Sequence, residues 1–162
     1  IERFQTARDK ITTEETLKHA ILTYEKIINK KFNIAVFLTA TDVFRNYNWI
    51  SKAVNILKQN PKIESVFAGY KTHKNYWEKD SKGEWKRLRD WMAIYKSRQV
   101  RKFTVREDTG LSCASRANLW REGRRIGDKV EIIIHKNDFS FVDIHSEKDL
   151  KLANLIIKNF EI

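Results

Sequence analysis

The apolar and polar positions of the chain alternate between helical and strand-like periods. Thr12-Thr13-Glu14-Glu15 has the Ser/Thr-x-x-Glu spacing of a capping box, in which Thr12 and Glu15 each satisfy a free backbone N–H. Behind it, Leu17, Ala20, Ile21, Tyr24 and Ile28 recur at helical spacing and predict an amphipathic helix over residues 13–29. Residues 34–38 form an unbroken apolar run, the pattern of a parallel-sheet strand covered on both faces. Ile50, Ala53, Val54 and Leu57 predict a second helix, stopped by Pro61, and residues 63–68 a second strand ending at Gly69. Strand, helix and strand within 35 residues make a βαβ unit with an expected right-handed crossover. The predicted class is α/β.

After Gly69 the texture changes. Tyr76, Trp77, Trp85, Trp91 and Tyr95 stand among many charges, with Lys82-Gly83 as a turn signal, so residues 71–105 predict a β-hairpin or extended arm. Two roles for these aromatics stay open: packing on the main sheet, or a subunit interface, where aromatics are enriched. Strands follow at residues 111–114 and 130–134, with a short helix near 118–122 between them. Phe139-Ser140-Phe141-Val142 alternates like a further short strand. Ser146, with Asp149 three residues on, predicts the cap of a last helix with Leu150, Ala153, Ile157 and Phe160 on one face.

Composition narrows the class. At 162 residues the chain is expected to form one α/β domain over 1–162, with 71–105 as a protruding arm. Hydrophobic residues at 41% and charged residues at 33% are those of a folded globular protein and not a disordered one. There is no apolar run of 18 residues to span a membrane, and no signal-peptide succession at the start. The lone cysteine, Cys113, has no partner for an internal disulfide, which fits a reducing compartment and an expected cytoplasmic location. The 32 basic and 21 acidic side chains leave a formal charge of +11, which favours anionic partners. The densest basic stretch, residues 96–106, lacks the aromatic, zinc-finger or heptad motifs of nucleic-acid binders, so a nucleic-acid partner is not expected.

Open α/β sheets bind ligands at the carboxyl ends of their strands. Two such ends are rich in polar residues: residues 38–45 (LTATDVFR) and Val142-Asp143-Ile144-His145. Asp143 suits a Mg²⁺ ion shared with substrate phosphates, and His145 falls on the same side of an extended backbone. The competing role for Asp143 is a simple turn or cap.

Three strings share a family pattern. Residues 141–150 (FVDIHSEKDL), followed by Ala153, resemble the Asp-Ile-Asp-(Thr/Ser)-Glu-x-Asp-(Leu/Phe)-x-x-Ala close of the acylneuraminate (sugar-acid) cytidylyltransferase family. Residues 38–45 are similar to its Leu-Gln-Pro-Thr-Ser-Pro-Leu-Arg loop, sharing Leu38, Thr41 and Arg45. Arg98-Gln99, with Arg106 eight residues after Arg98, resembles its Arg-Gln…Arg-x-Asn-Gly segment, with Gly110 one residue late. The resemblance runs from about residue 8 to residue 155.

The resemblance implies a Rossmann-like fold on which a sugar acid attacks the α-phosphate of CTP and releases pyrophosphate, yielding a CMP-sugar. It implies Mg²⁺ held at Asp143, with His145 at the second metal position and Asp143 and Arg106 as catalytic residues. It places Thr39, Thr41, Arg45, Thr109 and Gly110 around the substrates, Arg98 on the sugar carboxylate, and a homodimer through the arm. The family's Gly- and Lys-containing nucleotide loop has no counterpart in these residues, and its second aspartate is replaced by His145. An enzyme completed by an N-terminal half is therefore expected. The alternative is a divergent or non-catalytic α/β domain that binds anionic ligands or a protein partner.

Overall fold

The computed structural model describes residues 11–160; the ends of the expected 1–162 domain and the start of the resemblance at residue 8 lie outside them. Helix α1 (Thr13–Ile28) begins at the expected capping box: the Thr12 hydroxyl accepts the Glu15 N–H, and the Glu15 carboxylate accepts the Thr12 N–H. It is followed by β1 (Ile34–Phe37), α2 (Tyr47–Gln59) and β2 (Ser65–Thr72). Then come a small hairpin, β3 (Trp77–Lys79) and β4 (Trp85–Arg87), and a single 3-10 turn at Asp90–Ala93. The chain closes with β5 (Thr104–Glu107), β6 (Cys113–Arg116), α3 (Ala117–Arg121), β7 (Val130–His135) and α4 (Glu147–Asn159).

The main sheet has the order β1-β6-β2-β5, with β7 on β2. β6 runs antiparallel to both β1 and β2, and β7 runs parallel to β2. The βαβ unit is present, but β6 separates its two strands, so the sheet is mixed. Side-chain alternation builds two faces. Ile34 and Val36 pack with Ala53 and Leu57 of α2, whereas Ala35 and Phe37 pack with Ile21 of α1 and Leu119 and Trp120 of α3. Both faces of β1 are covered, but the strand pairs antiparallel with β6 and not in the parallel ladder that the apolar run suggests. Its residues are nevertheless only half-buried, because its outer edge has no strand partner among the described residues.

Four expectations need correction. The strand expected to end at Gly69 continues to Thr72. A Cβ at Gly69 would lie 2.6 Å from Val105 and 2.7 Å from Ile132, so glycine here admits side chains from both neighbouring strands instead of ending the strand. The strand expected at 111–114 begins at Cys113, because the residues before it leave the ladder. Residues 139–142 are turns, not a strand: the Asn137 side chain accepts the Phe139 N–H, and Asn137 and Phe139 carbonyls accept the Ser140 and Val142 N–H groups. Finally, α4 buries Ala153 and Ile156, on Phe44 and Val142, and leaves Leu150 and Ile157 exposed.

The expected arm forms the β3–β4 hairpin, turning at Gly83 with φ +82°. Trp77, Trp85 and Tyr95 are exposed. Packing on the main sheet is thus not their role. Each lies beneath a cation of the arm itself, Arg87 over Trp77, Lys79 over Trp85 and Arg101 over Tyr95. No helix among the described residues is long and apolar enough to cross a membrane.

Candidate functional site

The site is built on an irregularity in the sheet. Ala68 of β2 gives its N–H to the Ser112 carbonyl and takes the Asp108 N–H on its own carbonyl, both at 2.9 Å. The returning strand is therefore interrupted there, and residues 109–111 are pushed out of the ladder. The extruded loop meets the segment leaving β1. Thr39 N–H donates to the Gly110 carbonyl at 3.0 Å, and the Thr39 hydroxyl donates to the Asp42 carboxylate. A Cβ at Gly110 would overlap that same hydroxyl and carboxylate, so only glycine lets the two loops close to this distance. The third segment joins through Ile144 N–H, which donates to the Thr41 carbonyl at 3.1 Å.

Between these loops lies a cavity of about 330 Å³, lined by Thr39, Arg106, Thr109, Gly110 and Asp143 of the expected site residues. Asp42, Glu107, Asp108, Arg125, Ser140 and Phe141 also line it. It sits where β1 and β7 end, the place a strand order of this kind favours for ligands. A larger cavity, about 520 Å³, opens at the beginning of β1. Its Arg116 is committed to the carbonyls of Leu57, Asn60 and Ile63, and its Arg121 to Glu25 and Phe32, so it carries less free chemistry.

The arginines differ in what they have left to offer. Arg45 commits its guanidinium to the carbonyls of Thr39 and Asp42, bracing the loop from behind. Arg106 grips Asp108 with Nε at 2.6 Å and Nη2 at 3.0 Å, and Nη2 also reaches the Ser140 carbonyl and hydroxyl. Arg98 is exposed and does not line the cavity. Thr41 contributes its backbone carbonyl.

Behind Arg106 stands a group that the sequence did not single out. His135 is buried at the end of β7, stacked on Trp49 at 4.6 Å, with Nε2 at 2.8 Å from the Asp108 carboxylate. Its Nδ1 faces the Asn137 N–H at 3.3 Å, so the tautomer that satisfies both contacts carries its proton on Nε2. Burial alone would raise the Asp108 carboxyl. The hydrogen bonds from His135 and Arg106 outweigh it and hold the group below the ordinary carboxylate range.

No family model matches the sequence, and no curated protein matches it. Among solved structures, the chain is similar to the 4-diphosphocytidyl-2C-methyl-D-erythritol synthase of Anaerococcus prevotii DSM 20548. The TM-score is 0.58 at 13% identity, over 93% of this chain and 68% of that one. What the two share is a mixed α/β fold, the class expected from the sequence. At this identity the likeness speaks for the fold alone, and it does not single out the acylneuraminate branch.

Asp143, expected at the metal position, lines the cavity. Its Oδ2 meets His145 Nε2 at 2.7 Å, while its Oδ1 is buried without a hydrogen-bond partner. His145 engages Asp143 as a hydrogen-bond donor, with its ring exposed. No group of three or more His, Cys, Asp or Glu among the described residues forms a cage. One carboxylate with a free oxygen fits Mg²⁺, which keeps several waters and takes its other ligands from substrate phosphates. Cys113 offers no chemistry: burial pushes its thiol up to about 11.

Proposed function

We propose that this chain carries the acceptor and metal side of a CTP-using nucleotidyltransferase that activates a sugar acid to its CMP derivative. The observation that carries the reading is the convergence of residues 39–42, 106–110 and 142–144 on one cavity at the strand ends. The three strings that resemble the sugar-acid cytidylyltransferases are far apart in sequence, and two of them meet there with the arginine of the third. In this reading Asp143 holds a phosphate-borne Mg²⁺, which when bound neutralises charge on the transferred phosphate. Thr39, Thr109 and Gly110 shape the pocket with a hydroxyl, a buried threonine and a close backbone approach. Arg106, held in register by Asp108 and Ser140, faces the reacting phosphate. The exposed aromatic arm pairs two copies of the chain, which would cover Trp77 and Trp85.

A second reading has its own support. The unmatched nucleotide loop and the His145–Asp143 pair suit a domain that binds an anionic ligand without turning it over. The test is a pyrophosphate-release assay on the full-length gene product with CTP and Mg²⁺. Acceptors are a panel of sugar acids together with 2C-methyl-D-erythritol phosphate. Release with a sugar acid is expected. Release only with the erythritol phosphate would move the substrate class, and CTP binding with no release would favour the second reading.

A further inference from the structure

Most guanidinium donors near the cavity are already paired. Arg45 and Arg106 have their Nε and Nη2 atoms bonded within the protein, and Arg98 is away from the cavity. Arg125 is different. It lines the cavity with Cζ 5.0 Å over the Phe37 ring, and its Nε is buried without a hydrogen-bond partner. The nearest carboxylates, Glu14 at 3.6 Å from Nε and Glu107 at 4.0 Å from Nη2, lie within ion-pair range but beyond a hydrogen bond. A buried guanidinium N–H without a partner costs free energy unless a ligand supplies the acceptor.

The charges on the lining then say what kind of anion fits. Four carboxylates, Asp42, Glu107, Asp108 and Asp143, face two guanidiniums, Arg106 and Arg125. Asp108 is neutralised by Arg106. Glu107 stands within ion-pair range of Arg125, so Asp42 and Asp143 remain to oppose a bare anion, and Asp143 Oδ1 has no hydrogen-bond partner of its own. A free sugar carboxylate brings no cation. A Mg²⁺-complexed phosphate brings both charges at once.

We propose that Arg125 is a phosphate-binding residue of this site, donating through its free Nε–H to a di- or triphosphate that enters as its Mg²⁺ complex. This rests on the nucleotidyltransferase reading for its location and for the Mg²⁺-borne phosphate, and adds to it the residue that receives the phosphate. The planar guanidinium suits phosphate oxygens, and the Phe37 ring beneath fixes its plane.

The test is calorimetric titration of the protein with inorganic pyrophosphate in Mg²⁺ and, separately, in EDTA, for wild type, Arg125→Lys and Arg125→Met. Wild type should bind pyrophosphate with Mg²⁺ and not with EDTA. Arg125→Met keeps the packing on Phe37 and should weaken binding roughly ten- to hundred-fold, the contribution of a hydrogen bond to a charged group. Arg125→Lys keeps the charge and should fall between, even where Arg125→Met is too unstable to titrate. Equal affinity in Arg125→Met, equal binding in EDTA, or no binding by wild type would each overturn the proposal. Binding through Arg125 with no CTP turnover would leave it standing while removing the catalytic reading. Turnover indifferent to Arg125 would do the reverse.

Discussion

Replacing Gly110 by alanine tests whether the three loops close as tightly as described. The backbone at Gly110 is outside the left-handed region, since only Gly83 and Gly123 among the described glycines have positive φ. Alanine is therefore sterically free along the backbone and would gain about 0.4–1 kcal/mol from a less flexible unfolded chain. Against this, its methyl would overlap the Asp42 carboxylate and the Thr39 hydroxyl. Overpacking of that kind costs roughly 1–3 kcal/mol. The clash outweighs the gain, for a net loss of about 1–2 kcal/mol and a Tm lower by roughly 2–8 °C at this size. Relief by pushing residues 39–42 aside would break the Thr39–Gly110 bond and open the cavity wall. Circular-dichroism melting paired with Mg²⁺-pyrophosphate titration reads both effects. The control is Gly83→Ala, on the arm, where φ of +82° makes alanine strained but open space surrounds the Cβ; it should lower Tm and spare binding. A Gly110→Ala protein that melts at or above the wild type and binds equally would refute the loop packing.

Three further outcomes follow from the geometry. The Arg121 hydrogen bond, with support from Phe32 N–H, holds the Glu25 carboxyl down to about 2 in the folded state. A depressed carboxylate stabilises the fold fully above its unfolded value and loses that contribution as pH falls toward 2; Glu25→Gln should flatten the acid limb of a stability-against-pH curve, and an unchanged limb would remove this pair as its source. His135→Phe keeps a ring on Trp49 but strips Asp108 of a donor, and should cost about 1–3 kcal/mol in urea denaturation. NMR titration should show the Asp108 carboxyl rising, and wild-type stability with an unmoved carboxyl would contradict the buttress. Asp143→Ala should abolish Mg²⁺-dependent nucleotide binding at unchanged Tm, and retained binding would end the metal assignment.

Local signals were the legible ones. The Thr12–Glu15 box and the Ser146 cap are closed by residues three apart, so the sequence spacing carries them whole. The βαβ unit was visible in periodicity, but β6 between its strands was not, because that pairing joins residues about 80 apart. In the sequence Gly69 has the character of a stop, since glycine punctuates chains. Its actual role depends on Val105 and Ile132, which only the folded sheet brings beside it. The α4 face slipped because Leu150, Ala153, Ile157 and Ile156 all offer apolar surface, and the position of Phe44 and Val142 decides which is used.

The site divides along the same line. Thr39, Arg106, Thr109, Gly110 and Asp143 came from family-like strings, and they line one cavity. Asp108, His135 and Arg125 lay outside those strings, and their roles arise from contacts across the sheet. A motif identifies a residue type at a position, whereas binding depends on which donors remain unpaired. By type, Arg45, Arg98, Arg106 and Arg125 are equal. By geometry, Arg45 is consumed in holding a loop, Arg98 stands outside the cavity, and Arg106 is matched to Asp108. That leaves Arg125 with a buried Nε–H lacking an acceptor and Asp143 with a buried oxygen lacking a partner, on the lining of the same cavity. In the proposed reading, a donor and an acceptor left over together would be satisfied by one ligand carrying both a cation and an anion, as a metal-bound phosphate does and a free acid does not.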